Sequence, residues 1–165
     1  MAVRSLNPEA EADQVRRAYW HDEGFPVDPV AIAKELGVLV FNADIPGDVS
    51  GLLRKHPGQA AEIYLDIDDP LVRRRFTCAH ELGHYVSHAG DDDDSLSFVD
   101  YRGPLATHGS NQDEIFANRF AANLLMPRQK VRELRSIGLS AVQMAKYFQV
   151  SLEAMNNRLS SIGTA

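Results

Sequence analysis

The chain alternates between two textures. Short apolar runs bounded by glycine and proline occupy part of its first half. Longer mixed stretches, several opening on an Asx-Pro pair, stand before and after them. The short runs are VLVFN (38–42), SGLLRK (50–55) and AEIYLD (61–66), divided by Pro46-Gly47 and Pro57-Gly58. Runs of this kind between turn signals predict strands. The links are short, so a small sheet of about three strands with antiparallel connections is expected. The mixed stretches predict helices. Asn7-Pro8, Asp28-Pro29 and Asp69-Pro70 each place a side-chain acceptor where it can cap free N–H groups, and a proline where its missing N–H costs nothing. The first helix is expected to reach about Trp20. The second, PVAIAKEL, ends at Gly37. A long helix follows from Pro70 to about His88, with Gly90 as its stop. A second long helix runs from about Asn111 to Met126, where Pro127 ends it. Short helices are expected over 128–136, 140–148 and 151–161, and an acidic loop over 90–110. The order is helices, strands, then helices, an α+β arrangement.

Composition narrows the class without altering that scaffold. A chain of 165 residues is expected to form one domain, 1–165, long enough for a real core. Within it, 1–26 holds the first helix, 27–127 the sheet and the two long helices, and 128–165 the short closing helices. The formal net charge of −6 argues against a general nucleic-acid or membrane-surface binder, whose footprint is basic. A lone cysteine, Cys78, rules out an internal disulfide. The start, MAVRSLNPEAEAD, has no apolar targeting core, and no stretch nears the length of a membrane span. The chain reads as cytoplasmic, with no membrane partner.

Candidate chemistry is concentrated in RRRFTCAHELGHYVSHAG (73–90). His80 and His84 are four apart, so on a helix they share a face one turn apart and can turn their imidazoles to one ion. Glu81 is rotated about 100° from His80, which sets its carboxylate beside such an ion rather than on it. There it can take a proton from water and later give one to a leaving amine. This is the HExxH pattern. The plain alternative is an amphipathic helix that happens to carry histidines. A catalytic site needs a third protein ligand, and the next long helix offers Glu114 in DEIFANRFAANLLMP. Asn118, at Glu114+4, lies on the same face and can orient a ligand from behind. His, His and Glu leave the fourth position open, as in catalytic rather than structural zinc sites. Imidazole and carboxylate also suit manganese or iron in place of zinc.

These two motifs resemble the ImmA/IrrE family of metallopeptidases. The family pattern is close to R-x-R-F-T-L-A-H-E-L-G-H, then E-x-E-A-N-x-F-A-A-x-L-L-M-P. Arg73, Arg75, Phe76, Thr77, Ala79 and the run His80 to His84 match the first. Glu114, Ala117, Asn118, Phe120, Ala121, Ala122 and the run Leu124 to Pro127 match the second. The resemblance implies a minimal zincin-like core and a zinc ion on His80, His84 and Glu114. It implies Glu81 as general base and acid, and a helix-turn-helix transcriptional repressor as substrate in phage, mobile-element or stress regulation. Two positions depart from the pattern. Cys78 stands where leucine is usual, rotated away from the metal face and expected to be a small buried residue. Phe116 replaces the second glutamate of E-x-E-A-N.

Other polar residues have plainer expectations. His88 lies about 12 Å along a straight helix from His80, too far to share its ion, and is expected to be structural. Asp91 to Asp94 lack the spacing of a calcium loop and read as solvated. Tyr101 and His108 lie in the loop between the long helices and are candidate donors to an oxyanion. The Arg73-Arg74-Arg75 run is expected to form salt bridges on a solvated face. An extended substrate can add to a strand near SGLLRK or EIYLD. The ending LSAVQMAKYFQVSLEAMNNRLSSIG has the rhythm of a helix-turn-helix, with Asn156, Asn157 and Arg158 as residues a DNA reader would use. Little basic charge surrounds them, so a surface that docks a partner is as good a reading. Two competing classes remain: a non-catalytic interaction protein with a structural metal, and a direct DNA-binding regulator.

Overall fold

The protein, seen here in a computed structural model, is described over residues 6–21, 24–90, 94–102 and 111–163. Helices α1 (Pro8–Tyr19) and α2 (Pro29–Glu35) open the chain. Strands β1 (Leu39–Ala43), β2 (Val49–Lys55) and β3 (Glu62–Asp66) follow, then helix α3 (Leu71–Ser87). A fourth strand, β4 (Leu96–Tyr101), precedes α4 (Asn111–Leu125). The chain closes with α5 (Arg128–Ser136), α6 (Ala141–Phe148) and α7 (Leu152–Ile162). The α+β class stands. No helix among the described residues is long and apolar enough to cross a membrane.

Two of the three Asx-Pro starts work as their chemistry dictates. The Asn7 side chain accepts from the N–H groups of Glu9 and Ala10, and that of Asp28 accepts from Val30. The third does not. Helix α3 starts behind Pro70 without a side-chain cap. Asp69 instead faces the end of β4, where its Oδ1 accepts from Arg102 Nε at 2.9 Å. Arg102 also pairs with buried Asp66 at the end of β3, so a charged group outcompeted the cap for this carboxylate.

The sheet has the order β1-β3-β2-β4. β2 is antiparallel to both β3 and β4, while β1 pairs with β3 in parallel. The expectation of about three antiparallel strands is therefore corrected twice. Short links do make successive strands run in opposite directions. They do not make them neighbours, and β3 lies between β1 and β2. β4 falls inside the segment expected to be a loop.

Helix α3 occupies the centre. Every residue from Thr77 to His84 is buried, so this stretch is covered on all sides. On one side, Gly51 of β2 meets it so closely that an added Cβ would stand 2.5 Å from Thr77 Cγ2. On the other, Gly83 lets α4 approach, and a Cβ there would stand 2.9 Å from the Ala117 Cα. The hydrophobic core runs from Ala12 and Val15 of α1 through Leu82, Phe120 and Leu124 to Phe148, Met155 and Ile162 in the last helices.

Arginines tie the outer helices to this core. Arg75 is not on a solvated face as expected. It is buried, and its guanidinium donates to the carbonyls of Val27, Phe148 and Gln149. Arg158 of α7 is also buried, donating to the Met126 carbonyl and to Glu9. Glu9 accepts two bonds from Arg128 as well. Arg128 first, with Arg158 beside it, holds the Glu9 carboxyl below its ordinary pKa of 4.5. A depressed carboxyl pKa stabilises the fold above the unfolded value and ceases to do so as the pH falls through the folded one. Glu9→Gln is therefore expected to cost about 1–2 kcal/mol at neutral pH, since it strips a buried guanidinium of its counter-charge. The deficit should fade below about pH 4. Urea unfolding of both proteins at pH 7 and pH 3 checks this, and an equal deficit at both would contradict it.

Candidate metal centre

Helices α3 and α4 bring the three expected ligands together. His80 Nε2 and His84 Nε2 stand 3.1 Å apart. Glu114 Oε2 is 3.3 Å from the first, and Oε1 is 3.1 Å from the second. Atoms bonded at about 2.0–2.1 Å to one tetrahedral ion must stand about 3.3–3.4 Å from one another. The two imidazole nitrogens are thus spaced as neighbouring ligands of a zinc-like ion, and the Glu114 carboxylate spans them with one oxygen toward each, all within the reach of one ion. Both imidazoles are buried, as ligands in a low-dielectric site are.

The surroundings orient this set. Asn118 Oδ1 lies 3.0 Å from His80 Nδ1, where it can accept a hydrogen bond from that nitrogen and so leave Nε2 as the nitrogen offered to an ion when one is bound. The His84 ring is stacked on Phe98 of β4, with centroids 4.2 Å apart and planes 9° from parallel. Its Nδ1 is buried without a hydrogen-bond partner, so the ring is held by stacking on that side. Glu81 is completely buried, and neither of its oxygens has a partner. A carboxylate in that position is costly unless something cationic or protic faces it.

Charge tells the same story. Burial first, then the negative charges of Asp100 and Glu114, push Glu81 up to about 8. Burial acts to lower His80, but the Glu114 hydrogen bond and the charges of Glu81 and Asp100 override it and push His80 up to about 9. His84 is lowered, by burial and by the charge on His80. Burial opposes ionisation of Glu114, but the two histidines pull it down to about 2. Protons on His80 and Glu81 thus balance a group of carboxylates that crowds two imidazoles. A divalent cation fits the same balance better, and His80, His84 and Glu114 can hold one.

One residue escaped the sequence reading. Asp100, at the inner face of β4, has a carboxylate oxygen within 4.8 Å of donor atoms on both His80 and Glu81. Burial raises its pKa, against the pull of His80 and Arg73. The expected substrate strands also need correction. β2 and β3 each have neighbours on both sides, so among the described residues the sheet edge beside the centre belongs to β4.

The remaining candidates fall elsewhere. His88 is apart from the ion site, with its Nε2 3.2 Å from Asp113 Oδ1, next to Glu114. Cys78 is buried, burial raises its thiol pKa, and it stands outside the cluster of His80, His84 and Glu114. Phe116 stacks near Phe120, with centroids 6.2 Å apart. Tyr101 is exposed at the end of β4. His108 and Asp91 to Asp93 lie outside the described residues, while Asp94 pairs with Lys55 and accepts from the Gly58 N–H. Of the three residues a DNA reader would use, Asn156 and Asn157 are exposed, but Arg158 is buried in the contacts described above and cannot reach a groove.

Comparison with known proteins agrees with this architecture. The profile of the M78 peptidase family, described as the IrrE N-terminal-like domain, matches residues 33–160. A curated relative, the metallopeptidase ImmA of Bacillus subtilis (strain 168), is 28% identical over 118 residues, covering 72% of this chain and 67% of the relative. Among solved structures, a Mycobacterium tuberculosis transcriptional regulator superposes with a TM-score of 0.60 at 19% identity, over 92% of this chain. The chain spans about half the length of that regulator, 46%. A zincin-like metallopeptidase fold with a candidate metal centre is thus defined. The chain belongs to the M78 peptidase family, the ImmA/IrrE type of metallopeptidase.

Proposed function

We propose that the protein is a zinc-dependent endopeptidase. His80, His84 and Glu114 hold the ion, Asn118 orients His80, and Glu81 is the catalytic acid and base. The observation that carries this reading is the convergence of two imidazole nitrogens 3.1 Å apart with a carboxylate whose oxygens lie 3.3 Å from one and 3.1 Å from the other. A bound ion would supply Lewis acidity, acidifying water and polarising a peptide carbonyl. The protein's own groups do the rest. Glu81, held close to neutral pH by burial, can accept a proton from water at one carboxylate oxygen and return it to the amide nitrogen that leaves. Helices α3 and α4 wall the site, and β4 can hold an extended segment of substrate along its outer edge by strand addition.

The substrate is a protein, and a helix-turn-helix repressor is the class that the family resemblance favours. The structural relative named as a transcriptional regulator is in keeping with a regulatory role. The deciding experiment is calorimetric titration of zinc into demetallated protein, with Glu114→Ala alongside. One-to-one binding is expected, weakened at least about tenfold in the variant, since losing even a supporting contact costs that much. Manganese and iron(II) titrated in parallel rank the metals. Binding indifferent to Glu114 would remove the metal centre, and the interaction-protein reading would take its place.

A further inference from the structure

The candidate metal centre uses none of the basic residues of α1 and α5. These two helices enclose an open cleft of about 410 Å³. We propose that this cleft binds a small phosphate-bearing molecule. Arg16 and Arg17 line it from α1, and Arg128 and Arg132 from α5. Each helix directs its side chains there by ordinary helical spacing: Glu9, Asp13, Arg16 and Arg17 share one face of α1, and Arg128 and Arg132 are one turn apart on α5.

The acids of the cleft are already engaged. Glu9 is bonded to Arg128 and Arg158. Asp13 accepts from Arg16 at 2.6 Å and from Asn123 Nδ2 at 3.0 Å. Arg17 and Arg132 have no hydrogen bond or ion pair among the described residues, and both are exposed. Four guanidinium groups against two carboxylates leave an excess of two positive charges, in a chain whose net charge is −6. Such a concentration attracts anions. Guanidinium forks that line one cleft from two helices suit phosphate oxygens, which they grip two at a time. The volume is that of a small-ligand pocket. A nucleic-acid strand is disfavoured, because the chain's net charge of −6 would repel a long polyanion.

The cleft is distinct from the metal centre. Asn123 links its two walls, accepting from Arg16 and from the Arg128 N–H, and lies on α4 nine residues beyond Glu114, about 13 Å along the axis. Binding can therefore be read without any assay of cleavage.

The test is calorimetric titration of inorganic pyrophosphate into the full chain and into the double variant Arg17→Ala/Arg132→Ala. Both arginines are exposed and unpaired, so the variant should fold normally, which its thermal midpoint verifies. Saturable one-to-one binding is expected, weakened at least about tenfold in the variant, the loss of about one charge-assisted hydrogen bond. A pyrophosphate site at the metal centre would ignore the variant, and equal affinities would overturn the proposal. So would the absence of saturable heat. A duplex DNA oligonucleotide titrated in parallel should not bind; if it binds wild type, loses that binding in the double variant and pyrophosphate gives no saturable heat, the cleft is a nucleic-acid contact and the proposal fails.

Discussion

Glu81→Gln is expected to lower peptide-bond cleavage by about 10²–10⁴-fold while zinc uptake stays nearly unchanged. Glutamine has the size and shape of glutamate but cannot take a proton from water. The side chain it replaces is fully buried, and neither of its oxygens is bonded to His80, His84 or Glu114. The proposed metal face is built from other atoms, so the variant separates holding an ion from moving a proton. Loss of a nearby negative charge should weaken zinc binding only modestly, because Glu114 remains the carboxylate in contact with both histidines. The measurement pairs zinc calorimetry with mass-spectrometric detection of products from a protein that the wild type cuts. A variant that cleaves at the wild-type rate would end the role given to Glu81. Biological output that survives the substitution would instead favour a protein that binds its partner without cutting it.

That separation of roles also explains which parts of the molecule could be read from its sequence. Helix spacing is a strong constraint, so His80, Glu81 and His84 were fixed relative to one another before any fold was known. Glu114 and Asn118 were placed by the same rule on a second helix. The meeting of those helices was not legible from spacing alone; it depends on Gly83 and Ala117, two small residues whose closeness appears only in three dimensions.

β4 was missed for a related reason. Its sequence, LSFVDY, alternates burial as a strand should, with Leu96, Phe98 and Asp100 less exposed than their neighbours. A half-buried aspartate breaks the apolar alternation by which strands are recognised, and that aspartate faces the metal centre. The pattern failed where chemistry displaced packing. Asp69 and Arg75 failed differently. Each was given a local partner, a helix end or solvent, and each was claimed by a distant group: Arg102 on β4 for the first, and the carbonyls of Val27, Phe148 and Gln149 for the second. Local rules set the available bonds, but burial of charge decides among them.

Gly83→Ala is expected to disable the centre without touching a ligand. The new Cβ would lie 2.9 Å from the Ala117 Cα and 3.2 Å from the Ala117 carbonyl oxygen. Carbon atoms in comfortable contact stand about 3.5–4.0 Å apart, and backbone cannot turn aside as a side chain can. Helix α4 must therefore retreat by roughly 0.6–1 Å. Glu114 lies one turn before Ala117 on the same face, so the retreat carries its carboxylate away from both histidines. Overpacking of this kind costs about 1–3 kcal/mol. A misplacement near 1 Å costs about 10²-fold in activity. The prediction runs against helix propensity, because alanine in a helix interior is otherwise favoured over glycine by about 0.8–1.0 kcal/mol. A variant that is more stable and binds zinc as tightly as the wild type would show that the two helices have slack at this contact. A lower thermal midpoint together with weakened zinc binding would show that the approach of α4 to α3, rather than the ligand set alone, builds the centre.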